Sequence, residues 1–154
     1  MDAPVPPVSP SPSRLDALLD DGRTHLLLFD GTCGLCDRSV QFVLRHDRAG
    51  IFRYAPLGGA LAREVMARHP ALRDVDSVVL VSRDGAWIKS SAAIRIARRL
   101  GLPWRIGVLG ALVPQVLRDW AYDQVARRRY RIWGRVEACT LPDAAERARF
   151  LLEP

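Results

Sequence analysis

The stretch FDGTCGLCDRS, residues 29–39, contains the change of pattern that most restricts the fold. Before it, Leu26-Leu27-Leu28-Phe29 is an unbroken apolar run, bounded by charge on one side and Asp-Gly-Thr on the other, as expected of a buried strand. After it the period changes. Cys36, Val40, Val43 and Leu44 fall at i, i+4, i+7 and i+8, one face of a helix that Gly50 is placed to end. A buried strand running straight into a helix, with Cys33 and Cys36 at the junction, calls for a layered α/β arrangement.

The rest of the chain extends that arrangement. RLDALLDDGRT reads as a short helix ending at Gly22, IFRYAPL as a second strand stopped by Pro56, and GGALAREVMARHP as a helix ending at Pro70. DSVVLVSRDGAWIKS reads as a hairpin with Asp84-Gly85 supplying a tight turn that needs positive φ. SSAAIRIARRLG then offers a serine cap, an apolar stripe of Ile94, Ala97 and Leu100, and a terminal Gly101. A β-α-β unit followed by a β-β-α unit predicts a mixed sheet with helices on both faces. Residues 15–102 would form this core. Residues 103–154 would form a helical extension packed on it, and residues 1–14, with five prolines in the first twelve, a disordered tail. Ile106–Val113 is apolar all round but ends at Pro114, too short to span a bilayer; it would pack on the core, with a membrane-surface or partner contact as the other reading.

Two cysteines spaced i, i+3 on a first helical turn can close a disulfide with little backbone movement. The free N–H groups and positive dipole end of the helix stabilise a thiolate on the first sulfur. Thr32 can cap that helix, and Gly34 leaves room for an approaching chain. Cys36 shares the apolar face and should be shielded, whereas Cys33 precedes the stripe. This assigns Cys33 as attacking nucleophile and Cys36 as resolving thiol. Asp30 can take a proton from Cys36, or it can merely hold the turn; the sequence leaves both open. Zinc is the other use of such a pair. It would need two further ligands from Cys139, His25, His46 and His69, singletons with no second CxxC and no HxxxH among them. The histidines read as surface or helix-end residues, His46 in the last turn of the first long helix, and Cys139 as a buried small side chain or a third thiol.

Three cysteines in 154 residues do not make a disulfide framework, and no export signal or transmembrane segment is evident, so the expected setting is the cytoplasm. The net charge of +6 lies entirely in residues 91–154, since residues 1–90 sum to zero. No nucleic-acid motif accompanies that charge, and a solvated basic helix face is expected in place of a nucleic-acid site.

FDGTCGLC, with Asp30, Cys33 and Cys36, resembles the DxxCxxC motif of the DCC family of thiol-disulfide oxidoreductases. FRYAPL, DSVVLV, SAAIRIARRLG with PW, and YRIWGR…C…LP…RARFL extend the likeness over residues 26–152. The resemblance implies a thioredoxin-like fold and disulfide exchange, with Cys33 and Cys36 as the redox pair and Asp30 as the motif's acid. Disulfide exchange of this kind needs no metal and no organic cofactor, since the dithiol is itself the carrier. The partners would be a disulfide- or thiol-containing protein or small thiol, and a recycling reductant or oxidant. One feature departs from thioredoxins in general: RDVDSVVLV has no proline before the third strand, where a cis-proline usually faces the cysteines. The contrasting reading is a non-enzymatic module whose CxxC binds metal or packs, with the basic extension contacting a partner.

Overall fold

The computed structural model describes residues 13–30, 34–75, 77–134 and 144–151. Helix α1 (Arg14–Leu19) is followed by β1 (His25–Phe29), α2 (Gly34–His46), β2 (Phe52–Pro56), α3 (Ala60–Arg68), β3 (Val79–Ser82), β4 (Gly85–Ile88) and α4 (Lys89–Leu100). A 3₁₀ segment (Trp104–Leu112), α5 (Gln115–Trp133) and α6 (Ala144–Arg147) follow among the described residues. The sheet order is β2-β1-β3-β4, with β1 parallel to β2 and antiparallel to β3, and β3 antiparallel to β4. This is the thioredoxin-like mixed α/β architecture, and the expected order of elements is realised.

Every residue of β1 is buried, because helices cover both sides of the sheet. Side chains alternate across a strand, so Leu27 and Phe29 pack with Val40, Val43, Leu44, Ile96 and Leu100 of α2 and α4. Leu26 and Leu28 face the other way, into Leu15, Leu19, Leu61 and Val65 of α1 and α3. A third piece closes the far edge of β2: the Tyr54 N–H donates to the Arg149 carbonyl at 2.9 Å and the Leu151 N–H to the Tyr54 carbonyl at 2.7 Å. Phe150 thereby stacks on Tyr54 inside the α2/α4 side of the core. Of the expected tail, residues 1–12 lie outside the described residues, as does Cys139, whereas Ser13 caps α1 and Arg14 opens it.

Several local expectations change. Helix α2 stops at His46, and Gly50 (φ 65°) closes the following turn instead, its N–H donating to the Asp47 carbonyl. In the hairpin Ser82 pairs with Gly85, so the two turn residues are Arg83 and Asp84, and Gly85 at φ 147° opens β4. No serine caps α4. Its N-cap is Ile88, and Ser90, one residue inside, bonds the Asp119 carboxylate of α5. The face of α4 against the sheet is Ala92, Ile96 and Leu100, while Ile94 and Ala97 meet the 3₁₀ segment. His25 is not a surface residue: it is 3% exposed in β1.

Two buried polar groups are tied to this framework. The Asp47 carboxylate accepts from the Ile51 and Phe52 N–H groups at 3.2 and 3.0 Å and from Arg149 Nη1 at 3.3 Å. It thus joins the end of α2, the start of β2 and the C-terminal edge. Asp47→Ala removes an acceptor shared by three donors and should cost about 2–4 kcal/mol in urea unfolding. A loss below about 0.5 kcal/mol, the size of an ordinary surface change, would contradict this role. His25 has no hydrogen-bond partner for either ring nitrogen among the described residues, and its pKa is lowered first by burial and then by the nearby Arg99 guanidinium. Below the ordinary value of 6.5 the unfolded chain therefore binds the proton that the fold refuses. Stability is full above that pH and declines as pH falls through it towards the lowered folded value. Denaturation at about pH 7.5 and about pH 5.5 should show the native chain losing stability relative to His25→Leu; parallel losses would refute it.

Candidate functional site

Strand β1 ends at Phe29, where the Leu57 N–H donates to its carbonyl at 2.9 Å. Asp30 follows directly and is half-buried. Helix α2 begins at Gly34, so Cys36 is its third residue and sits in the first turn, where backbone N–H groups have no intrahelical acceptor. The junction thus opens at the carboxyl end of a strand flanked by β2 and β3, a position where α/β sheets leave a crevice. Gly31, Thr32 and Cys33 lie outside the described residues, as does the side chain of Cys36. The exposure expected for each sulfur and the Thr32 cap therefore fall outside them too.

Strand β3 brings a neighbour. Val79 is paired with Leu28, so Ser77 and Val78 arrive beside the end of β1, where many thioredoxins place their cis-proline. Here Ser77 is buried, and its hydroxyl has no hydrogen-bond partner among the described residues. Sequence reasoning noted the missing proline but did not single out this serine. Its only signal was its place just ahead of the VVLV strand.

A groove of about 580 Å³ runs along α2 beyond the cysteines. Arg38, Ser39 and Phe42 line it from α2, Ile96 and Ala97 from α4, and Trp104 from the 3₁₀ segment. Phe42, His46 and Trp104 form its aromatic neighbourhood, with centroid separations of 4.4, 4.6 and 4.9 Å. His46 Nδ1 is 2.7 Å from the Phe42 carbonyl. The groove is apolar and its α2 wall follows Cys36 in sequence, so it suits a non-polar group. No sequence pattern announces it, because three separate segments meet to build it.

The three histidines are scattered. His25 is buried in β1, His46 belongs to the aromatic group on α2, and His69 ends α3. Among the described residues no three of His, Cys, Asp and Glu lie together as a metal site would require. None of the described helices is long and apolar enough to cross a membrane.

Comparison with known proteins places this geometry in context. A family model described as DCC1-like thiol-disulfide oxidoreductase matches residues 27–135, which include Asp30, Cys33 and Cys36. The uncharacterized protein YuxK of Bacillus subtilis (strain 168) is 35% identical over 128 residues, 82% of this chain and 93% of that protein. The DCC family protein At1g52590, chloroplastic, of Arabidopsis thaliana is 34% identical over 127 residues, 81% of this chain and 74% of its own length. No solved structure matches significantly.

Proposed function

The chain belongs to the DCC1-like thiol-disulfide oxidoreductase family, and from that premise we propose that Cys33 and Cys36 exchange a dithiol for a disulfide through a mixed disulfide on Cys33. The observation that carries this reading is the start of α2 at Gly34, between the two cysteines and directly beyond the buried end of β1. A sulfur at that end meets unpaired N–H groups and the positive end of the helix dipole, which favour the thiolate.

In the reducing direction the Cys33 thiolate attacks one sulfur of a substrate disulfide. The substrate S–S bond breaks, one substrate sulfur leaves as thiolate and takes up a proton, and Cys33 is joined to the other. Cys36 then loses its proton and attacks Cys33 Sγ, which breaks the mixed disulfide and expels the second substrate thiolate. Two electrons pass to the substrate, and the protein is left with a Cys33–Cys36 disulfide. Oxidation runs the same steps backwards. Asp30, half-buried beside the pair in sequence, is the group we assign to accept the Cys36 proton. The substrate is a disulfide- or thiol-containing protein or a small thiol, and a separate thiol couple resets the pair. The cytoplasm fits such chemistry, since thiols there are kept reduced and working disulfides are transient.

Trapping tests the roles. Cys36→Ser should accumulate a mixed disulfide on Cys33, visible as a reductant-sensitive mass increase, whereas Cys33→Ser should accumulate none. Alkylation of Cys33 should show a midpoint below the ordinary thiol value of about 8.5. Trapping by Cys33→Ser alone would reverse the two roles. Silence from both variants, with stoichiometric zinc in the purified protein, would overturn the exchange reading.

A further inference from the structure

The 3₁₀ segment Trp104–Leu112 divides its side chains into rows. Residues three apart eclipse one another in such a helix. The row of Trp104, Gly107 and Gly110 faces the protein: a Cβ at Gly107 would come within 3.2 Å of the Ala97 Cβ, and one at Gly110 within 3.7 Å of Ile94 Cδ1. The row of Ile106, Leu109 and Leu112 points away, at 61, 63 and 83% exposure. Across Pro114 it continues with Val116 at 85% and then Leu117 and Trp120, all exposed, on α5. The glycines dock the segment closely, and its bulky aliphatic side chains are left in water.

The stretch of chain that carries this row is basic. Residues 85–118 contain no acid and six cations: Lys89, Arg95, Arg98, Arg99, Arg105 and Arg118. The first two acids beyond them, Asp119 and Asp123, are both engaged with α4, the former by Ser90 and the latter by Lys89 at 3.0 Å. Arg105 in the segment and Arg127, Arg128 and Arg131 on α5 are exposed, whereas Arg95, Arg98 and Arg99 line another side of α4 beside His25, Trp87 and Asp84.

We infer that this face, built on Ile106, Leu109, Leu112, Val116 and Trp120 with Arg105 and the exposed arginines of α5, seats the protein on an anionic lipid surface. Apolar side chains enter the acyl boundary, while arginines meet the phosphates and Trp120 occupies the interface. A second copy of this chain fits poorly, because a two-fold contact would set the same cationic rim against itself. A protein pocket is also a weaker fit. The row protrudes, with each of these side chains more than half exposed, and a fluid acyl phase needs no shaped receptor for it. No described helix is long and apolar enough to cross the membrane, so the contact lies on the surface. The inference does not depend on the cysteine chemistry.

Flotation of the full chain with vesicles tests it. The probes are phosphatidylcholine alone and phosphatidylcholine with roughly one-third phosphatidylglycerol. Binding should favour the anionic vesicles and weaken at least about tenfold when salt rises from about 0.1 to about 1 M. Leu109→Glu/Leu112→Glu, at exposed positions and checked for native circular dichroism, should weaken binding by at least about tenfold. Brominated lipid should quench tryptophan in the native chain, and Trp120→Phe should remove most of that quenching. Equal partition to both vesicles, undiminished binding of the double variant, or a solution dimer that the double variant dissociates would each overturn the proposal.

Discussion

Strand β1 is buried on both faces, and the rest of the molecule is arranged to keep it so. Five consecutive side chains hidden from water demand a helical layer on each side, which α2 with α4 and α1 with α3 supply. The backbone of β1 is satisfied at the same time, by β2 along one edge and β3 along the other. A strand held this firmly presents its carboxyl end at a fixed place, and the cysteine-bearing turn begins there. The exchange chemistry we assign thus rests on burial: the first turn of α2 can project only where β1 stops.

Away from that centre the chain is held by a few polar ties between distant segments. Asp47 accepts hydrogen bonds from the start of β2 and from Arg149, more than a hundred positions away in the chain. Ser90 and Lys89 hold α5 to the beginning of α4 through Asp119 and Asp123. These contacts turn the acids inwards and leave arginine to dominate the outer face. Together with the glycine-lined docking of the 3₁₀ segment, they leave an apolar row on a basic stretch of the chain. The start of α2 and the proposed lipid-binding face are built from different elements. The groove beside α2 reaches Ile106 at the near end of that row.

Where a feature depends on neighbours in sequence, the residues alone sufficed to read it. The element order, the buried β1 and the CxxC at a strand-to-helix junction follow from apolar period and spacing. The hairpin was legible as an element but misplaced by one residue, since Asp84-Gly85 marks the turn and only pairing of Ser82 with Gly85 sets its register. Ser90 and Ser91 look like a cap, yet the fold begins α4 earlier and uses Ser90 to bind Asp119. His25 reads as a surface residue until the fold places it in β1 and buries it.

By itself the sequence determined the sheet-forming runs, the helical faces and the cysteine spacing, because each arises from local period and backbone geometry. Tertiary structure alone decided which residues of α4 meet the sheet and which meet the 3₁₀ segment. It also decided that Ser77 comes beside the end of β1, and that Phe150 seals the edge of β2. Those outcomes depend on segments far apart along the chain, and a side chain's environment is known only once the surfaces that bury it have come together.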